Sequence, residues 1–238
     1  MQWMRIIAAL AAPMLLAGCL LQPGKFTSAL TVKADRSFTF AYKGEVIALD
    51  PSEAMAAGFG GSSSGEDESE QTPEQKAEKA KEKAQKAKEA AENEVKRKAI
   101  AEALTKEAGY KSATYLGNGK FLIDYEISGK LDHNFIYPFN SDAEIVFPFI
   151  VVELRKGGTV RMVAPGYSGS SSKAGSAPGM PSSNQALDGT FTLTTDAEIV
   201  IHNNEAGAQT GAGGMKTLTW RATPLTKDAP TASLRLAQ

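Results

Sequence analysis

The sequence has 238 residues, 42% of them hydrophobic and 22% charged, with 26 basic and 27 acidic side chains. That length supports one sizeable core. The balanced charge excludes the basic surplus that binding to a phosphate backbone needs, so nucleic acid is not an expected partner. A single cysteine excludes a disulfide within the chain.

The first 19 residues read in three parts. Residues 1–5 carry one basic side chain, Arg5. Residues 6–16 form an apolar run of 11, interrupted only by Pro13. The small residues Ala17 and Gly18 then precede Cys19. Eleven helical residues reach about 16 Å, well short of the roughly 30 Å of a bilayer's hydrocarbon core. The pattern predicts a secretion signal rather than a membrane span.

Leu16-Ala17-Gly18-Cys19 resembles the lipobox of bacterial lipoproteins. The resemblance implies a diacylglyceryl group on the Cys19 sulfur, cleavage between Gly18 and Cys19, and usually an acyl chain on the new amine. Two or three acyl chains make a durable anchor, so the membrane is the first expected partner. Leu20 stands where that family places an aspartate to retain a lipoprotein in the inner membrane. The resemblance therefore implies the outer membrane, with the body facing the periplasm. Removing residues 1–18 leaves 220 residues; only Arg5 is lost from the charged set, so 25 basic residues face 27 acidic ones.

Residues 19–27 read as a lipidated tether, followed by one domain over 28–238. Leu30 and Val32 alternate with polar residues, Ala34-Asp35-Arg36-Ser37 reads as a turn, and Phe38, Phe40 and Tyr42 share one parity. Period two predicts a hairpin over 28–49, with a bulge at Lys43-Gly44-Glu45. Residues 56–72 are Gly/Ser-rich, then acidic, and cannot bury enough apolar surface to offset ordering entropy.

A helix is predicted over 73–108. Thr72 suits the N-cap, Pro73 the first helical position and Gln75 the capping box. Neither Gly nor Pro interrupts residues 74–108, and Gly109 suits the position just past the end. The first half repeats Ala, Lys and Glu. The second carries an apolar stripe of Val95, Ala99, Ile100, Ala103 and Leu104. The second half is expected to pack on the sheet and the first to project. Alanine buries too little at a coiled-coil seam, so residues 73–94 read as a solvated extension, with a contact to an envelope protein or the cell wall as the alternative.

Strands resume at 114–116, turn at Gly117-Asn118-Gly119, and continue at 121–127. Residues 144–154 are apolar on both parities and predict a central strand, with Pro148 removing one ladder donor. Further strands are expected at 159–163, 190–195, 198–202, 215–221 and 231–236. A low-complexity loop at 164–187 is expected to be disordered, and residues 207–214 make a hairpin tip. The pentapeptide at 142–146 recurs at 196–200 and opens a strand each time. The expected architecture is α+β: a mostly antiparallel sheet packed by one long helix.

Motifs for chemistry are thin. Gly61-Ser62-Ser63-Ser64-Gly65 has the spacing of a nucleophile elbow but lies in a linker rather than between strand and helix. His133 and His202 have no second ligand at helical or hairpin spacing, which leaves no zinc site of imidazole and thiolate. Asp124 and Glu126 share a strand face. No calcium loop, phosphate-cradling loop or dinucleotide fingerprint is present, so no metal, no cofactor and no catalysis are expected. Phe38, Phe40, Tyr42, Phe121 and Tyr125 are the candidate ligand-binding residues, as the lining of an apolar cavity under the helix. The competing reading makes them plain core.

A lipidated cysteine, a strand pair, a helix ending near Tyr110, and strands closing on Lys216-Thr217-Leu218-Thr219-Trp220 resemble the LppM-type lipoprotein domain. The resemblance implies a small α+β periplasmic domain without established enzymatic activity. The long charged helix and the loop at 164–187 depart from it. The expected function is that of an envelope lipoprotein with a structural or protein-interaction role, with carriage of an apolar ligand as the alternative.

Overall fold

The computed structural model describes residues 20–49, 73–139, 148–169 and 184–237. The expected signal peptide, Cys19, the expected linker over 56–72 with its 61–65 motif, and the middle of the 164–187 loop lie outside them.

The chain opens on a long antiparallel hairpin, β1 (Leu20–Val32) and β2 (Ser37–Leu49), in register from Leu20 opposite Leu49 to Val32 opposite Phe38. The Asp35 carboxylate closes its turn by accepting from the Ser37 N–H (2.8 Å) and Oγ (2.6 Å). These bonds hold its pKa below the usual aspartate value. The expected bulge is present on the opposite strand: the register slips between Pro23 and Phe26, across from Glu45. Gly44 is required there, because a Cβ would lie 2.3 Å from the Lys25 carbonyl oxygen.

The tether expected over 19–27 is corrected: residues 20–27 are already strand. Leu20 to Pro23 pair with β2, and residues 25–32 also pair with a second neighbour. Pro23 and Gly24 disfavour regular strand, and the bulge between Pro23 and Phe26 accommodates both.

The helix α1 (Pro73–Leu104) follows, then β3 (Tyr110–Gly117) and β4 (Lys120–Lys130). The helix ends four residues before the expected Ala108. The chain tightens there into short turns, with Lys106 N–H bonded to Ala103 O (3.0 Å) and Glu107 N–H to Leu104 O (3.0 Å). Gly109 (φ +90°) then swings it into β3. Among the described side chains of α1 only Ala101 is buried, with Ile100 and Leu104 packed partly against the core.

The rest of the chain forms β5 (Phe135–Tyr137), β6 (Ile150–Arg155), β7 (Thr159–Val163), β8 (Asp188–Thr195), β9 (Glu198–His202), β10 (Gln209–Thr210), β11 (Lys216–Ala222) and β12 (Thr231–Arg235). Two sheets result. The larger is ordered β10-β11-β8-β1-β2-β4-β3 and the smaller β5-β6-β7-β12-β9. The fold class is α+β and the pairing mostly antiparallel, as expected, but the single sheet becomes two. The exception in pairing is β1 with β8, which run parallel.

The two sheets share a core of Leu30, Phe40, Tyr42 and Leu193 from the larger and Ile150, Val152, Val160, Met162 and Leu234 from the smaller. The expected strand over 144–154 begins only at Ile150, with residues 140–147 outside the description. Its inner face carries Ile150 and Val152, while Val151 is half-buried. The 164–187 loop is corrected at both ends. Pro165–Tyr167 form a 3-10 turn with Tyr167 fully buried, and Asn184 and Leu187 are also buried. Tyr167 and Leu187, two of the loop's few bulky side chains, act as its anchors.

Candidate functional site

Two places bear on function: the end of the sandwich where β1 begins, and the aromatic layer between the sheets.

β1 begins at Leu20, the residue that follows Cys19 in the sequence. Asn184 secures this stretch by donating from Nδ2 to the Pro23 carbonyl (2.7 Å). The β3–β4 turn lies at the same end, where Ala48 N–H donates to Gly119 O (2.8 Å). So does the root of the helical arm. Tyr115 Oη donates to Glu94 Oε1 (2.6 Å) and accepts from the Gly119 N–H (2.9 Å). Burial and the bond to the carboxylate raise the pKa of that phenol. The 21 helical residues before Glu94 span about 30 Å, and the described side chains among them, from Lys81 to Glu92, are exposed.

The aromatic residues proposed from the sequence do share one side of the larger sheet. Phe40 and Tyr42 are fully buried, and Phe121 and Tyr125 nearly so. The space before them is filled by the second sheet and its flanks. The Tyr137 ring packs at a tilt 5.0 Å from Phe40, 5.5 Å from Tyr42 and 4.6 Å from Tyr125, centroid to centroid. Phe149 and Tyr167 extend the layer to Tyr42 and Phe26. The layer is core packing of the kind aromatic pairs favour. No signal in the sequence places Tyr137 and Tyr167 in this layer, because a three-residue strand and a three-residue 3-10 turn are too short to show periodicity.

Burial sets the electrostatics of the layer. Desolvation pushes the phenols of Tyr42 and Tyr137 well above 10, and that of Tyr110 up to about 12. Tyr42 Oη donates to Glu45 O (2.7 Å) and Tyr167 Oη to Ser28 Oγ (3.0 Å).

Phe38 differs from the other four. It is half-buried and lines an open cleft of about 250 Å³ with Ile127, Leu131, His133 and Phe135. That is below the roughly 300–1,000 Å³ of ligand pockets.

The remaining polar candidates are separate. Asp124 pairs with Lys43 (3.3 Å) and Glu126 with Lys111 (2.8 Å), so each carboxylate meets a lysine on the outer sheet face. His133 contacts Asp132 beside the cleft, whereas His202 Nδ1 accepts from Asn204 N–H (3.2 Å) at the end of β9. Among the described residues no three metal-ligating side chains converge.

No family model and no curated protein matches the chain. Among solved structures, the NMR structure of the folded domain of the Mycobacterium tuberculosis LppM protein is similar. It shares 9% identity over 92% of this chain and 93% of that chain, with a TM-score of 0.30.

Proposed function

We propose that this chain is an envelope lipoprotein, held at a membrane by acylated Cys19, which acts through contacts rather than catalysis. The observation that carries the reading is the junction of motif and fold. A lipobox ends at Cys19, and the very next residue enters β1. Among the described residues no helix is long and apolar enough to cross a membrane, so in this reading the acyl chains do the anchoring. Leu20 in the position after the cysteine favours the outer membrane over the inner.

The feature available for contact is the arm of α1. Its described side chains between Lys81 and Glu92 are exposed, and by sequence it is built of Ala, Lys and Glu. A polar arm of that length suits a protein or cell-wall partner better than hydrocarbon. The carrier reading retains only the small cleft at Phe38, because Phe40, Tyr42 and Tyr125 are packed with Tyr137 and Phe121 with Tyr115.

The test is mass spectrometry of protein extracted from its native membrane. An N-terminal peptide beginning at Cys19 with the added mass of two or three acyl chains is expected, and Cys19→Ser should abolish both processing and membrane fractionation. A Cys19→Ser chain processed normally and still recovered with membranes would overturn the reading.

A further inference from the structure

The two ends of the sandwich differ in surface chemistry. At the end where β1 begins, three large apolar side chains stand in solvent: Leu116 (52% exposed), Phe139 (69%) and Leu225 (87%). Each is placed there by pairing. Leu116 leads into the β3–β4 turn, whose Gly119 carbonyl bonds Ala48, next to the Leu49 that faces Leu20. Phe139 lies two residues past Tyr137, the last residue of β5, a strand that runs from Phe135 beside Phe38 to Tyr137 beside Tyr42 and so towards this end. Leu225 tips the turn after β11. There the Thr226 carbonyl accepts from Gly169 N–H (2.8 Å), and the Gly169 carbonyl accepts from Asn184 (3.1 Å), the residue that binds Pro23.

The opposite end is charged. It exposes Lys33, Asp35 and Arg36 between β1 and β2, Lys130 at the end of β4, Arg155 at the end of β6 and Lys156 just after it. None of the exposed large hydrophobic residues lies in these stretches; Val200 and Ile201 lie on the β9 edge.

We propose that the protein docks end-on to a lipid bilayer, with Leu116, Phe139 and Leu225 seated among the headgroups. This rests on the acylation of Cys19 proposed above. With Leu20 already in β1, acyl chains on the preceding residue hold this end within one residue of the lipid. Three separated apolar side chains then sink to the headgroup–acyl boundary, where such groups gain from leaving water. The charged turns face away. The arm of α1 is rooted at the docking end, and its lysines and glutamates exclude it from hydrocarbon.

Because the native cysteine is acylated, a second cysteine introduced anywhere gives a unique labelling site. The acylated full-length mature protein would carry an environment-sensitive fluorophore at Leu225→Cys or Phe139→Cys, or at Lys33→Cys or Lys156→Cys at the far end. Each would be reconstituted in phosphatidylethanolamine–phosphatidylglycerol vesicles with brominated lipid and probed with aqueous iodide. Labels at 225 and 139 should be quenched several-fold more by brominated lipid than those at 33 and 156, with the reverse order for iodide. Equal accessibility of all four sites, or shielding of 225 and 139 only when another protein is present, would overturn end-on docking. Mass spectrometry of the same samples separates the two claims. Acyl mass on Cys19 without the quenching pattern removes the docking alone, whereas absence of acyl mass removes the anchor and the docking with it.

Discussion

Tyr167 and Ser28, 139 positions apart, are joined by a buried hydrogen bond in which Tyr167 Oη donates to Ser28 Oγ over 3.0 Å. Ser28 passes the interaction on by donating to the Ala41 carbonyl (3.1 Å). The link ties the 3-10 turn after β7 to β1, and through β1 to β2. It also satisfies a phenol that would otherwise be buried without a partner. Ser28→Ala should destabilise the fold by about 1–3 kcal/mol, since it strands the hydroxyl of Tyr167, and Tyr167→Phe by about 1 kcal/mol. The double variant should cost clearly less than the sum. Urea unfolding of all four proteins gives the cycle; strictly additive effects would show that the bond contributes nothing.

Alkaline pH should loosen the core. The phenols of Tyr42 and Tyr137 are raised well above 10 by burial, and that of Tyr110 to about 12. Above pH ~10 the unfolded chain releases these protons while the folded chain keeps them, so stability falls as pH rises. Below that pH both states are neutral and the contribution is complete. The urea midpoint should hold steady up to about pH 9 and drop by about pH 11, with tyrosinate absorbance appearing only as the protein unfolds. A midpoint unchanged at the higher pH would mean that these phenols ionise in the folded state.

Gly109 should be intolerant of a side chain for two separable reasons. Its φ of +90° disfavours any L-residue, and an added Cβ would come 2.5 Å from the Tyr125 ring. Gly109→Ala should cost about 1–3 kcal/mol. Gly207, also left-handed but with open space around it, provides the control at about 1 kcal/mol. Thermal melts of the two variants compare them. Equal losses would mean that the ring shifts freely and only the backbone matters.

The arm should be thermodynamically separate from the body. The described side chains from Lys81 to Glu92 are exposed, whereas Ala101, Ile100 and Leu104 meet the core. Deleting residues 74–92 should change stability by less than about 0.5 kcal/mol, and Leu104→Ala should cost about 2 kcal/mol or more. Calorimetry on both decides it; a large loss on deletion would show that the arm folds back on the sandwich.

The elements were largely legible because each obeys a local rule. Period two set the β1–β2 hairpin and β4, and the absence of Gly and Pro set the body of α1. The five aromatic candidates fall on one sheet side because parity along a strand is a local property. Their environment was not legible, since Tyr137 and Tyr167 occupy stretches with no pattern of their own. The start of β1 at Leu20 was hidden for a related reason: Pro23 and Gly24 signal a break unless a bulge opposite Glu45 absorbs them.

What the sequence alone determined is therefore local: the strand and helix segments and the Ala, Lys and Glu composition of the arm. Tertiary structure alone decided that the strands divide into two sheets, and that β1 lies beside β8 in parallel. It also decided that the aromatic face is filled and that Leu116, Phe139 and Leu225 gather at one end. Pairing partners lie up to some 160 residues apart, and their choice depends on burying complementary faces together, which periodicity along one segment does not encode.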